Sequence, residues 1–144
     1  CENELNWQRL LPVYSDCKVN IVTETQYYET PGIITEKTLM AFLAQQVPLV
    51  IGYQGIVSDL EDLGFDMFTD LVDVSYDSAN DTERWQLALK NNKHLLGENF
   101  DFDLLADRRQ KNLETACSLP QKWLNLFEMQ INKVLKNFLD PGTS

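Results

Sequence analysis

The sequence predicts an α/β fold: three layers, α/β/α, with a short parallel sheet and a helical C-terminal third. Three observations predict it. Two continuous apolar runs, Val19–Val22 and Val47–Ile51, read as strands, and buried parallel strands are continuous rather than alternating runs. Between them Leu39, Leu43 and Val47, with Met40 and Ala44 beside them, recur at spacings of three and four, the mark of a helix. Parallel strands need such a crossover. Finally, residues from Phe100 to Asp140 are helical in pattern almost throughout.

The elements follow in order. Cys1 to Asp16 holds Trp7, Leu10, Leu11, Val13 and Tyr14 around Pro12, a short helix or an extended lead-in against the sheet edge. The first strand covers Val19–Thr23 and ends at Glu24, and a polar loop with Pro31 and Gly32 follows. Thr35 is placed to cap the crossover helix, with Glu36 in its first turn, where the helix dipole favours a carboxylate. The second strand closes at Gly52, and Gly52-Tyr53-Gln54-Gly55 reads as a turn able to approach a ligand closely. Ile56–Leu63 is a helix stopped by Gly64, with Asp59, Glu61 and Asp62 on a solvated face. Phe65–Phe68 is apolar enough for a third short strand.

Asp81 or Thr82 caps a helix running to Leu96 and ending at Gly97, its inner face formed by Trp85, Ala88, Leu89 and Leu96. Leu104, Leu105 and Leu113 mark one face of the next helix. Pro120 fits the first position of a last helix, after Ser118 or Leu119. That helix, expected to be the longest, carries a stripe of Trp123, Leu124, Phe127, Ile131, Val134, Leu135 and Phe138 that packs on protein.

Bulk properties narrow the function. The chain has 144 residues and a net charge of −10, enough length for one domain with its own core. The acidic balance argues against nucleic acid and anionic membrane surfaces, which require basic clusters. A small anionic ligand needs only one or two local cations and helix-end amides. Cys1, Cys17 and Cys117 form no CxxC pair, so neither a disulfide framework nor a zinc site is expected; reduced thiols are expected, with a Cys1–Cys17 pair open in an oxidising compartment. No signal-like segment and no apolar run near membrane-spanning length occurs. A soluble, cytoplasmic protein is expected. The first residue is Cys1 rather than methionine, which fits a fragment or a processed chain.

The stretch Ile34–Lys37 (ITEK), a helix, then Val47–Gly52 (VPLVIG) resembles the nucleotide-sugar-binding segment of α1,3-fucosyltransferases. There a strand ends in a glutamate, a loop leads to ITEK, and a helix leads to VPVV-x-G. The following SDLEDLGFDMF and SYD are similar to glycosyltransferase-like proteins of phages and marine microbes. The likeness extends over Val19 to Tyr76. It implies the Rossmann-like donor half of a two-domain, metal-independent glycosyltransferase that takes a nucleotide-sugar, GDP-linked in that family. It implies transfer to a hydroxyl acceptor bound by a second half upstream, with the catalytic base supplied there. Ile33 stands where the family has a tyrosine, and Glu24-Thr25-Gln26 where it has Glu-Asn-Ser, so base identity does not carry over.

The donor-nucleotide residues expected are therefore Thr35, Glu36, Lys37, Glu24 and Gly52, with no catalytic residue assigned and no metal. A carboxylate such as Glu36 can accept from both ribose hydroxyls. The ammonium of Lys37 can meet the pyrophosphate, beside helix N-terminal amides that favour an anion. As a leaving nucleoside diphosphate gains charge, that cation stabilises the transition state. Read without the resemblance, Glu36-Lys37 is an exposed first turn, Glu24 a solvated loop carboxylate, and Tyr27 and Tyr28 cover for the sheet end. Asp70, Asp73 and Asp77 cluster without the spacing of a calcium loop, and the single histidine, His94, reads as a surface residue. The competing class is a non-catalytic α/β module with a vestigial nucleotide site, serving binding or homodimer formation.

Overall fold

The computed structural model describes residues 12–14, 16–25, 27, 34–97 and 101–120. Strand β1 (Val19–Thr23), helix α1 (Glu36–Leu43) and strand β2 (Val47–Ile51) form a parallel βαβ unit. The register is direct, from Val19 opposite Val47 to Thr23 opposite Ile51. All five residues of β2 are buried, whereas β1 is covered on one side only, with Val22 buried and Ile21 at 38% exposure. Among the described residues the sheet has these two strands, β2 lying inside the fold and β1 at its surface.

Thr35 caps α1, its hydroxyl accepting from the Lys37 amide. The helix buries Thr38, Met40, Ala41 and Phe42; of the expected positions Met40 is buried and Leu39 packs partly buried against the core, but Leu43 is exposed. The inner face is set by stacking of Phe42 on Phe65, with ring centroids 4.0 Å apart. Gln45, at φ 54°, then turns the chain into β2.

Helix α2 (Ile56–Asp62) follows Gly55, whose φ of 95° suits glycine. Its C-terminal turn closes through Gly64 at φ 96°, as the sequence predicts. The expected third strand at Phe65–Phe68 is absent. Phe65, Met67 and Phe68 are buried, but the Asp66 backbone is taken by a side chain: Asn112 accepts from its amide and donates to its carbonyl, both at 2.8 Å. Phe68 at φ 55° breaks any extended run.

A 3-10 turn at Ser75–Ser78 precedes helix α3 (Asp81–Asn91). The cap is Asn80, accepting from the Glu83 amide, not Asp81 or Thr82. The helix stops at Asn91, and Lys93–Leu96 continue as a 3-10 turn to Gly97. Trp85 and Leu96 are exposed, at 43% and 64%. The fully buried side chains are Ala88 and, without precedent in the apolar pattern, Arg84, while the expected Leu89, with Leu87, is partly buried against the core. A further 3-10 turn, Phe102–Leu105, leads into α4, helical over 106–120. Phe102 and Leu105 are buried while Leu104 is 81% exposed. The boundary expected at Ser118–Pro120 is not there, since all three residues lie within α4. The stripe from Trp123 to Phe138 lies outside the described residues, as do Tyr28 and Ile33. The mixed α/β class holds, with a two-stranded parallel sheet. Among the described residues no helix is long and apolar enough to cross a membrane.

Candidate functional site

The carboxyl ends of β1 and β2 bring together Glu24, Thr35, Lys37 and Gly52. Parallel strands deliver their following loops to one edge, where ligands collect in open α/β sheets. Glu24 continues the ladder, its amide donating to the Ile51 carbonyl at 2.9 Å. Its carboxylate is buried rather than solvated, at 6% exposure. One oxygen accepts from the Thr35 amide at 3.0 Å and from the Thr38 hydroxyl; the other accepts from the Thr35 hydroxyl. Glu24 thus sits on the N-terminus of α1 as its resident anion, where dipole and free amides favour negative charge. The amides of Thr35 and Lys37 are both engaged by these caps.

Gly52 is buried directly against the aliphatic stem of Glu24. A Cβ placed on it would lie 2.8 Å from Cδ1 of Ile56 and 3.1 Å from Cβ of Glu24. Only glycine lets the turn after β2 come this close. Glu36 and Lys37 are exposed. The Lys37 ammonium rests on the Thr23 carbonyl at 3.3 Å and the Thr25 hydroxyl at 3.1 Å, a cation held in solvent at the strand end.

Arg84 joins the same end from α3 and was not legible as a site residue. Fully buried, it donates to the carbonyls of Gly52 at 2.6 Å, Ala79 at 3.1 Å and Tyr27 at 3.3 Å, and pairs with Asp81 at 2.8 Å. Its guanidinium lies 4.9 Å from the centre of the Tyr27 ring. Tyr27 in turn donates its hydroxyl to the Asp81 carbonyl at 2.8 Å. The one signal available in sequence was spacing: Arg84 shares a helix face with Ala88 and lies three residues after Asp81.

The acidic cluster disperses into structural roles. Asp70 and Asp66 share Arg108, whose hydrogen bond holds the carboxyl of each below the usual range. Asp73 accepts from the amide and hydroxyl of Ser75, which lower its pKa. Asp77 is buried and accepts from the Val57 amide in the first turn of α2. Burial pushes its pKa up against the backbone hydrogen bonds that lower it. Asp59, expected in solvent, accepts from the Tyr53 hydroxyl at 2.6 Å, and that phenol is pushed up by burial and by this carboxylate. His94 is exposed, one ring nitrogen on the Leu71 carbonyl. Among the described residues no group of three or more histidines, cysteines or acids could hold a metal, and Cys17 and Cys117 are free and exposed. The chain matches no protein-family model, no curated protein and no solved structure.

Proposed function

We propose that this chain is the nucleotide-sugar-binding half of a glycosyltransferase, holding a GDP-linked donor for transfer to a hydroxyl acceptor without a metal. The observation that carries the reading is Lys37: a solvent-facing ammonium at the carboxyl end of a parallel βαβ unit, fixed to the Thr23 carbonyl and Thr25 hydroxyl. In this reading Lys37 binds the pyrophosphate and neutralises charge on the departing diphosphate. Glu36, exposed beside it, accepts from the ribose hydroxyls. Glu24, Thr35 and Gly52 act one step back, fixing the helix end that presents both side chains. The amides of Thr35 and Lys37, already bonded, leave the phosphate to the ammonium. The acceptor and catalytic base belong to a second half, so this chain alone binds donor and turns over poorly.

Glu24 supports a second reading. Its carboxylate already occupies the anion position of α1, as expected of a non-catalytic α/β module whose nucleotide site is vestigial. Thermal shift against GDP-, UDP-, ADP- and CMP-linked sugars separates the two. A ligand near 100 times its Kd stabilises by about 2.7 kcal/mol, a rise of several degrees in Tm. Lys37→Ala should abolish most of that rise, a charge-assisted hydrogen bond contributing about 1.5–3 kcal/mol, and leave the unliganded Tm nearly unchanged. No shift with any nucleotide sugar, alone or with the second half restored, leaves the non-catalytic module.

A further inference from the structure

The outer edge of β1 is a second feature of the fold, meeting the candidate nucleotide site at the Thr23 carbonyl, on which Lys37 rests. The Glu24 amide donates to the Ile51 carbonyl and the Val47 amide to the Lys18 carbonyl, each at 2.9 Å. In a parallel ladder alternate residues bond to a given neighbour. Residues 18, 20, 22 and 24 therefore face β2, and the amides and carbonyls of Val19, Ile21 and Thr23 face away. Among the described residues the sheet ends there. Natural edges are blunted by charge, proline or a bulge. Val-Asn-Ile-Val-Thr has no charge and no proline, and four of its five residues are β-branched. Cavities of about 310 and 280 Å³ lie along it and share Tyr14, Asn20 and Ile21.

We propose that this edge is a self-association surface, on which β1 pairs antiparallel with β1 of a second copy about a two-fold axis at Ile21. The product is one four-stranded sheet, with the two β1 strands at its centre. Register argues for a second copy. Pairing about Ile21 sets Val19 opposite Thr23 and Ile21 opposite itself, so every outward-facing residue meets an outward-facing residue and no bulge is needed. The Thr23 carbonyl exchanges its exposed contact with Lys37 for a ladder bond. Charge argues the same way. Two copies of a chain at −10 repel over most of their surface, and this strand is a neutral strip.

The test uses the whole chain with Cys1, Cys17 and Cys117 changed to serine, carrying either Ile21→Cys or Thr23→Cys. Facing hydrogen-bonded residues of an antiparallel pair lie about 5.5 Å apart, within disulfide span. The two copies of Thr23 would be four residues out of step, roughly 14 Å apart. Under mild oxidation Ile21→Cys should give a disulfide-linked dimer and Thr23→Cys essentially none. Sedimentation at physiological salt should show wild type as a dimer and Ile21→Lys, folded by circular dichroism, as a monomer. Equal cross-linking of the two cysteine variants, or a monomeric wild type at millimolar concentration, would overturn the proposal.

Discussion

Arg84 donates to the carbonyl of Gly52 at 2.6 Å, tying the first turn of α3 to the residue that follows β2. The pair is 32 residues apart in sequence and fixes the turn on which the strand-end carboxylate rests. Nothing else described reaches the Gly52, Tyr27 and Ala79 carbonyls together. Arg84→Met keeps the stem volume and removes every donor. Carbonyls left unpaired lose about 1–3 kcal/mol each, so with three of them a loss of about 3 kcal/mol or more is expected, the Asp81 carboxylate being able to turn to water. Arg84→Lys should recover little of it, because one ammonium cannot span carbonyls matched to a planar fork. Urea denaturation of the three proteins measures both. A loss below about 1 kcal/mol for Arg84→Met would mean the network is decorative.

Thr38→Val tests whether the Glu24 carboxylate is structural. The substitution keeps the branched shape inside α1 and deletes one of the three hydrogen bonds that Glu24 accepts. A hydrogen bond to a charged group contributes about 1.5–3 kcal/mol, and that loss is expected in the unliganded protein. Were Glu24 held for a ligand instead, the variant would leave apo stability alone and change binding only.

What the sequence made legible, and what it hid, divides on physical lines. The two runs around α1 announced a parallel pair, and the register begins at the predicted Val19; burial on both faces accounts for the unbroken run of β2, whereas β1 is covered on one side only. Phe65–Phe68 carried an equally apolar run and is not a strand, since the side-chain amide of Asn112 takes the backbone groups a strand partner would need. A local pattern has no access to a residue 46 positions away. Arg84 was hidden for a related reason: charged residues are assumed to face water, and two of its four oxygen acceptors, the Gly52 and Tyr27 carbonyls, come from segments that only the fold brings to it. Glu24 was visible as a strand-end carboxylate, but its engagement by Thr35 and Thr38 depends on the angle at which α1 returns to the sheet.

Stability should peak on the acidic side of neutrality, because Asp66 and Asp77 act in opposite directions. Arg108 holds the folded pKa of Asp66 below its unfolded value, first through the hydrogen bond. That contribution is present above about pH 3.9 and is lost as pH falls through the folded value. Burial raises the folded pKa of Asp77. Its contribution is complete below about pH 3.9 and is lost as pH rises through the folded value. Asp70 shares Arg108 but is well exposed, so water screens it. In urea midpoints against pH, Asp77→Asn should remove the decline on the neutral side and Asp66→Asn the decline on the acid side. An unchanged profile in Asp77→Asn would rule out its carboxyl as the source.

Gly52→Ala should destabilise by contact rather than by backbone strain. The new methyl would lie 2.8 Å from Cδ1 of Ile56, a fully buried side chain, and 3.1 Å from Cβ of Glu24. Packed surroundings relax only partly, and overpacking of this kind costs about 1–3 kcal/mol. Ile56→Val removes the very carbon that clashes and alone should cost about 0.5–1.5 kcal/mol. If the clash is the cause, the double variant is less destabilised than the sum of the singles, with a coupling of roughly 0.5–1 kcal/mol. The residual loss reports the contact with Glu24, which no change at Ile56 relieves. It should fall on the helix end, seen as faster amide exchange at Thr35 and Lys37, because displacing the Glu24 side chain removes the cap that orders them. Strict additivity of the two substitutions would show that glycine is required at position 52 for some reason other than the approach of Ile56.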